Sequence, residues 1–307
     1  NEKASTIADL RPIISAKLPV EDPVLWNGRK NPYLYTVRCE IFDSTTEEVT
    51  DNIDIRTGLR EYHIDSHKGF FLNGEHIKLH GVSRHQDREN MGNAITEKQH
   101  AEDVKIILDV GANSVRLAHY QQNSYFYDLC DESGLLVWAE VPVISRFSPK
   151  RNENAEQQLV ELIKQNYNHP SIFCWGIENE ITIAGSASKK LITFLKHMHK
   201  VARHLDPTRY TTCAQLTMCP VNSPLNHITD IIGYNHYYGW YMGSCDEINN
   251  WLDEWHRENP EGKLCLSEYG AEGITKYHSD SPVQGDYSED YQAIYHEHYI
   301  KAINERD

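Results

Sequence analysis

The chain has 307 residues, 39% of them hydrophobic, and a formal net charge of −15 at pH 7. This length accommodates one large barrel and a small flanking domain. No run of about 18 apolar residues occurs, which predicts that no segment spans a membrane. The acidic balance without a basic patch argues against a nucleic-acid partner. The seven cysteines form no CxxC pair and predict neither a zinc site nor a disulfide framework.

The first sixty residues have the pattern of β structure. Leu34–Phe42 mixes alternation with β-branched and aromatic residues, and Val49–Ile55 is a second strand candidate. No amphipathic helix lies between them. We therefore expect residues 1–60 to be part of an immunoglobulin-like β-sandwich and residues 61–307 to form a second domain.

A hairpin signal opens the second domain, because Asn73-Gly74 lies between two strand-like runs, as a type I′ turn requires. Short apolar strands then alternate with amphipathic helices, which is typical of a parallel α/β architecture. The predicted strands are Ile77–Gly81, Ser114–Ala118, Leu135–Glu140, Ile172–Ile177, Tyr210–Ala214, Ile231–Asn235 and Lys263–Ser267. The predicted helices are one that begins at the N-cap Thr96 and ends at Gly111, then Phe126–Asp131, Ala155–Asn166, Lys189–His204, Glu247–Arg257 and Glu289–Asn304.

Seven β/α units are one short of a TIM (β/α)8 barrel. A doubly wound sheet is the alternative, but it usually has a glycine-rich phosphate turn after its first strand. The corresponding turn here, Gly81–Asp87, contains no GxGxxG motif. We therefore predict a TIM-type barrel without its eighth strand, and we expect the chain to be part of a longer protein that is needed for full activity.

Polar residues concentrate where the predicted strands end, which is where the active sites of TIM barrels lie. Two carboxylates stand out, Glu180 after the fourth strand and Glu268 after the seventh. A single glutamate at a strand end is most often solvated or ion-paired. Two that face each other across a barrel mouth meet the requirement for glycosidic cleavage, in which one carboxylic acid protonates the leaving oxygen. The other carboxylate attacks the anomeric carbon or activates water.

The motifs around these carboxylates resemble glycoside hydrolase family 2, and within it the β-galactosidases. The resemblance covers nearly the whole chain and agrees in order and spacing. The segments that carry it are Val24-Leu-Trp26 with Asn31-Pro-Tyr-Leu-Tyr-Thr36, Leu72-Asn-Gly74 with Gly81-Val-Ser-Arg-His85, Val115-Arg-Leu-Ala-His-Tyr120, Leu129-Cys-Asp-Glu-Ser-Gly-Leu135, Asn179-Glu180, Asn235-His-Tyr-Tyr-Gly-Trp-Tyr241 and Ser267-Glu-Tyr-Gly270.

The resemblance implies a retaining mechanism, with Glu180 as general acid/base and Glu268 as nucleophile. It also implies supporting roles for a set of neighbouring residues. Asn179 would bond the sugar 2-hydroxyl, Tyr237 would donate to Glu268, and Arg116 would keep Glu268 ionised. His85 and His119 would donate to sugar hydroxyls or serve structure alone. Trp240 would stack on the sugar or pack in the core.

Two departures from the family pattern bear on metal binding and on the sugar. Large members bind Mg²⁺ after the third strand, but Ile144 and Arg146 stand at the ligand positions, and neither ligates a hard cation. We therefore predict no metal and no cofactor. Some β-galactosidases have a histidine three residues after the nucleophile, where this chain has Ala271.

The substrate predicted from these motifs is a terminal β-D-galactoside, because Arg84–Asp87 and Gly270–Gly273 look more like that branch. β-Glucuronidase and β-mannosidase of the same family remain alternatives. The carboxylate-reading residues of glucuronidases lie after the eighth strand, which we do not find. A non-catalytic carbohydrate-binding protein is the alternative of another class, and the presence of both glutamates argues against it. The compartment and homo-oligomerisation stay open.

Overall fold

The computed structural model describes residues 16–306, and this part begins with short antiparallel strands. Trp26–Asn27 (β1) pairs with Asn31–Pro32 (β2), and Tyr35–Phe42 (β3) pairs with Val49–Thr57 (β4). The β3–β4 ladder agrees with the two strands predicted in this segment. The first 15 residues of the predicted first domain lie outside the described residues.

A three-stranded antiparallel sheet follows, formed by Tyr62–Asp65 (β5), Gly69–Leu72 (β6) and Glu75–Ile77 (β7). Asn73 and Gly74 join β6 to β7 with φ values of +51° and +81°. Positive φ at both central residues defines the type I′ turn. The hairpin predicted at these two residues is therefore confirmed.

The main sheet contains seven parallel strands arranged in the same order as in the sequence. They are Gly81–Arg84 (β8), Ser114–Leu117 (β9), Leu136–Glu140 (β10), Ile172–Asn179 (β11), Tyr210–Leu216 (β12), Ile231–Asn235 (β13) and Leu264–Glu268 (β14). A doubly wound sheet would reverse its strand order at a switch point. The sequential order is that of a TIM-type barrel, and within residues 16–306 β8 and β14 do not pair with each other.

Six helices lie between or after these strands, close to the predicted positions. They are Glu97–Asp109 (α1), Ser124–Ser133 (α2), Asn152–Asn166 (α3), Lys189–Leu205 (α4), Glu247–Glu258 (α5) and Glu289–Asn304 (α6). Thr96 and Gln99 form the predicted capping box of α1. Gly134 ends α2 in the left-handed conformation, at φ +74°, as a C-terminal glycine does. No helix in the described part of the chain is long and apolar enough to cross a membrane.

The first barrel strand differs from its prediction. Residues Ile77–Gly81 were expected to form it, but the strand is Gly81–Arg84, and Ile77 ends the preceding hairpin. Ile77 and Leu79 pack in a separate apolar cluster with Phe70 and Phe173. The apolar run therefore belongs to the layer below the barrel and not to the barrel wall.

Two apolar clusters organise the part of the chain that the structure describes. The larger lies between the strands and the helices, and the smaller contains Trp26, Phe70 and Leu72 with residues from four barrel strands. In the smaller cluster, Tyr62 donates its hydroxyl to the Ile172 carbonyl at 3.1 Å, at the first residue of β11. The β5–β7 sheet thus covers the N-terminal ends of the strands, which leaves the C-terminal ends for a site.

Candidate active site

The C-terminal ends of five barrel strands bring polar side chains to one place. The parallel strands end at the same face of the barrel, so that residues distant in sequence meet there. The side chains that contact one another are Arg116 of β9, Glu140 of β10, Asn179 and Glu180 at the end of β11, Asn235 of β13 and Glu268 of β14.

Arg116 is the centre of this group. Its Nη1 lies 2.6 Å from Glu268 Oε1, its Nε lies 2.9 Å from Glu140 Oε2, and its Nη2 lies 2.7 Å from Asn179 Oδ1. The side chain is only 5% exposed. Burial acts to lower the pKa of Arg116, but the two carboxylates outweigh it and raise that pKa above its ordinary range. The guanidinium is therefore a fixed positive charge between a buried acid, Glu140, and a partly buried one, Glu268.

Each oxygen of the Glu268 carboxylate accepts a hydrogen bond. Arg116 donates to Oε1, and the Tyr237 hydroxyl donates to Oε2 at 2.6 Å. Burial, followed by the neighbouring Glu268, raises the pKa of Tyr237 above its ordinary range, so that the phenol keeps its proton. A cation and a neutral donor thus hold this carboxylate in a fixed orientation.

Glu180 has a different environment. It has a positive φ of +48°, and its backbone N–H donates to the Ala214 carbonyl at 2.7 Å. Its Oε1 accepts one hydrogen bond, from Asn235 Nδ2 at 3.0 Å. Burial raises the pKa of Glu180, the Asn235 bond acts against this, and the charge of Glu268 adds to the rise. An unusual backbone conformation at a polar strand end is characteristic of a functional position.

Asn179 and Asn235 connect the two acids. Asn179 Oδ1 accepts from Arg116 and from Asn235 Nδ2, the latter at 3.0 Å. Asn235 Oδ1 in turn accepts from the Ser267 hydroxyl at 2.7 Å. Within the described residues, both hydrogen bonds of the Asn179 side chain use its oxygen, which leaves its Nδ2 group to donate elsewhere.

The two predicted histidines lie beside Glu268 but differ in how they are held. His119 Nδ1 lies 2.6 Å from Glu140 Oε1, and its Nε2 lies 3.8 Å from Glu268 Oε1. His85 contacts His119 edge to face, with ring centroids 5.2 Å apart. Burial and the neighbouring His119 lower the pKa of His85, so that a neutral imidazole is favoured at this edge.

Trp240 lies in a packed environment. Its side chain is 8% exposed and belongs to the larger core cluster. It contacts the Tyr287 ring edge to face at 5.1 Å, and the Tyr291 ring lies 6.3 Å away. This burial favours the packing alternative for Trp240, and its stacking role stays a prediction.

Three residues of the network were absent from the predicted site, namely Glu140, Asn235 and Ser267. Each lies at the C-terminal end of a barrel strand, so the same positional rule that selected the two acids could have selected them. Arg84 shows the limit of this rule. It is the last residue of β8, but it pairs with Asp103 of α1 at 2.7 Å and not with the acids of the site.

The only cluster of potential metal ligands in residues 16–306 lies outside this site. It consists of Asp128, Asp131 and His169, whose ligand atoms lie within 4.8 Å of one another. Asp131 already accepts from His169 and from the Ser171 backbone N–H, and Asp128 pairs with Arg56 at 2.9 Å. These bonds tie α2 to neighbouring segments, so the cluster has a structural explanation.

Glu178, which directly precedes Asn179 and Glu180 in the sequence, is a fully buried acid. Its Oε2 accepts from the Ile181 backbone N–H at 3.1 Å, and its Oε1 accepts from Gln215 Nε2 at 3.1 Å. Burial raises the pKa of Glu178 to about 8. The side chain is therefore neutral at pH 7.

Because of this buried acid, we expect the stability of the protein to depend on pH. Glu178→Gln should weaken that dependence. The folded state keeps a proton that the unfolded chain releases near pH 4.5, so stability falls as pH rises from about 4.5 to about 8. Each pKa unit corresponds to about 1.4 kcal/mol, which makes this loss on the order of 4 kcal/mol. Unfolding of the full-length protein at pH 5 and pH 8 measures it.

The Glu178→Gln variant is expected to lose less stability than the wild type between these pH values. Gln215 Oε1 has no partner within the described residues and can accept from the new amide group. Glu153→Gln, at an exposed glutamate of α3, is the matched control and should follow the wild type. Equal slopes for all three proteins would contradict the assignment of a proton to Glu178.

Fold and site together define a TIM-barrel protein with two carboxylates in unlike environments at the strand ends, the arrangement that glycoside hydrolases use. Family comparison agrees with this class. Residues 64–307 match the TIM barrel domain of the glycosyl hydrolases family 2, and residues 1–60 match a second model of that family. The chain belongs to glycosyl hydrolases family 2, as its motifs indicated.

Similar proteins include enzymes named for two different sugars. The chain is 40% identical to a β-glucuronidase of Bacteroides fragilis over 94% of its own length and 42% of that protein. It is 32% identical to a β-galactosidase of Thermoanaerobacter pseudethanolicus over 68% of its length and 28% of that protein. An FMN-binding β-glucuronidase from Facaelibacterium prausnitzii L2-6 superposes with a TM-score of 0.89 at 47% identity, covering 94% of this chain and 44% of that one. The chain thus spans less than half the length of these relatives.

Proposed function

We propose that the protein containing this chain is a retaining exo-glycoside hydrolase that cleaves terminal β-D-glucuronides. The observation that supports this reaction class is that Glu180 and Glu268 lie at the same end of the barrel in unlike environments. The β-glucuronidase names of several relatives favour glucuronate over galactose as the sugar. Ala271, at the position where some β-galactosidases have a histidine, also departs from the galactosidase pattern. We also propose that residues 1–60 and residues 61–307 belong to two separate domains.

In the first step, Glu268 attacks the anomeric carbon and Glu180 protonates the leaving oxygen. A new bond forms between a Glu268 oxygen and the sugar, and the aglycone departs as an alcohol or a phenol. Arg116 and Tyr237 hold the attacking carboxylate by one bond to each oxygen. The raised pKa of Glu180 keeps its proton available for transfer to the leaving oxygen.

In the second step, Glu180 accepts a proton from water as the water attacks the anomeric carbon. The ester to Glu268 breaks, and the sugar leaves with the configuration it had in the substrate. We assign Asn179 as a donor to the 2-hydroxyl, because its Nδ2 group is left to donate. His85 and His119 are the proposed hydroxyl donors at the edge beside Glu268. No step needs a metal or a cofactor.

A panel of nitrophenyl β-glycosides tests the sugar, with the full-length protein assayed on glucuronide, galactoside and mannoside. We expect kcat/KM to be largest for the glucuronide, by a factor of about 100 or more, because a buried polar site discriminates strongly against a substrate that leaves its groups unpaired. A preference for the galactoside would contradict this proposal and support the β-galactosidase activity predicted from the motifs. NMR of the first-formed anomer measures retention, and an inverted product would contradict the mechanism.

A further inference from the structure

Three tyrosines on α6 lie on one face of the helix and point toward the loop after β13. Tyr291, Tyr295 and Tyr299 follow one another at intervals of four residues, which aligns them along the helix. All three are buried, and Tyr295 and Tyr299 are completely so. The Tyr295 and Tyr299 rings are stacked, with centroids 4.5 Å apart and planes at 16°.

Each hydroxyl of this tyrosine row donates to a backbone carbonyl of the β13 loop. Tyr295 donates to His236 at 3.2 Å, Tyr299 donates to Tyr238 at 3.1 Å, and Tyr291 donates to Gly239. Phenylalanine would fill the same space, so the hydroxyls are not required for packing volume. Their contribution is to fix the positions of these carbonyls.

Two of these carbonyls flank Tyr237, the residue that donates to Glu268. The carbonyls of His236 and Tyr238 lie on its two sides in sequence, and both are held by α6. The backbone N–H of His236 is also bonded, to the Glu268 carbonyl at 2.8 Å. With its neighbours fixed in this way, Tyr237 has little freedom to turn its ring away from Glu268.

Tyr299 also reaches the strand that carries Glu268. Its ring stacks on Tyr269, the next residue after Glu268, with centroids 5.1 Å apart and planes at 1°. One side chain thus contacts the backbone beside Tyr237 and the ring beside Glu268. We propose that Tyr299, together with Tyr295, is a positioning residue that sets the hydrogen bond between Tyr237 and the Glu268 nucleophile. The kinetic consequence of this inference rests on the proposed function.

The first test removes single hydroxyls by Tyr299→Phe and Tyr295→Phe in the full-length protein. A displacement of well under 1 Å at the nucleophile is enough to slow attack, so we expect kcat to fall roughly tenfold with KM changed less than about twofold. Tyr62→Phe is the matched control, since it also removes a hydroxyl bond to a backbone carbonyl, at the other end of the barrel. Its melting temperature should fall as far as that of Tyr299→Phe, with kcat unchanged.

The second test asks whether Tyr299 acts through Tyr237. In a double-mutant cycle, Tyr299→Phe should have little further effect on kcat once Tyr237→Phe has removed the hydroxyl that it positions. Independent, multiplying effects would overturn the proposal. So would a kcat for both single variants equal to that of Tyr62→Phe.

A crystal structure of Tyr299→Phe separates this inference from the proposed function. The Tyr237 hydroxyl lies 2.6 Å from Glu268 Oε2, and we expect that distance to lengthen in the variant. An unchanged distance overturns the positioning role even if the enzyme is a glycosidase. A wild-type protein that hydrolyses none of the glycosides would overturn the proposed function, while the distance would still decide this inference.

Discussion

Glu268→Gln is expected to lower kcat on every glycoside by at least about 10³-fold, the largest effect of any substitution in this chain. The amide cannot form the ester to the sugar. It also replaces one of the two oxygens that accept from Arg116 and Tyr237 with a donor. The measurement is steady-state hydrolysis of an activated aryl glycoside by the full-length protein.

Glu272→Gln is the control for this variant, because Glu272 is an exposed glutamate on the loop that follows Glu268. Its turnover should match that of the wild type. Substantial activity in Glu268→Gln, at a level close to the control, would show that the nucleophile is another residue. Trapping of the sugar on Glu268 by a mechanism-based inhibitor gives independent evidence for the covalent step.

Glu180→Gln is expected to separate substrates by their leaving groups. For a poor leaving group, loss of the proton donor should lower kcat/KM by about 10²–10⁴-fold. An activated phenol needs little protonation, so its kcat/KM should stay within about tenfold of the wild type. Because Glu180 has a raised pKa, wild-type kcat/KM should fall at alkaline pH as the acid loses its proton, and the variant should lack this fall for the activated substrate.

Azide provides the rescue arm of the same prediction. In Glu180→Ala, the space left by the carboxylate admits a small nucleophile that needs no base, so azide should raise turnover of an activated substrate and yield the glycosyl azide. Equal losses for good and poor leaving groups, without any azide effect, would remove Glu180 from the acid/base role.

Arg116 gives the acids of this site different surroundings. Its positive charge contacts Glu140 and Glu268, while Glu180 accepts its side-chain bond from a neutral amide. Burial therefore dominates at Glu180 and raises its pKa. At Glu140, burial acts in the same direction, but Arg116 and His119 outweigh it and hold the pKa below its ordinary range.

The repeat of strand and helix could be predicted because it depends on local pattern. The strand Ile231–Asn235 and the helix Glu289–Asn304 have the predicted bounds, and the other helices differ by a few residues at their ends. Helix caps and turn residues act over three or four positions, and the capping box at Thr96 and the turn at Asn73 are visible in the sequence itself. The positions of Glu180 and Glu268 follow from the same pattern, since parallel strands end at one face.

The errors arise where an apolar residue has two possible partners. Ile77 and Leu79 have the pattern of a buried strand, yet they pack under the barrel with Phe70 and Phe173. Arg84 lies at the end of β8, and its charge is paired with Asp103 on α1. None of these partners is a neighbour in the sequence.

The sequence by itself determined the family, the β/α order and the places of Glu180 and Glu268 at strand ends, because these depend on motifs and on local periodicity. Only the tertiary structure decided which groups surround each acid. The guanidinium of Arg116 between Glu140 and Glu268, the burial of Trp240, and the tyrosines of α6 on the β13 loop all join residues separated by many positions. Such contacts set pKa values and side-chain orientation, and they exist only once the strands are assembled side by side.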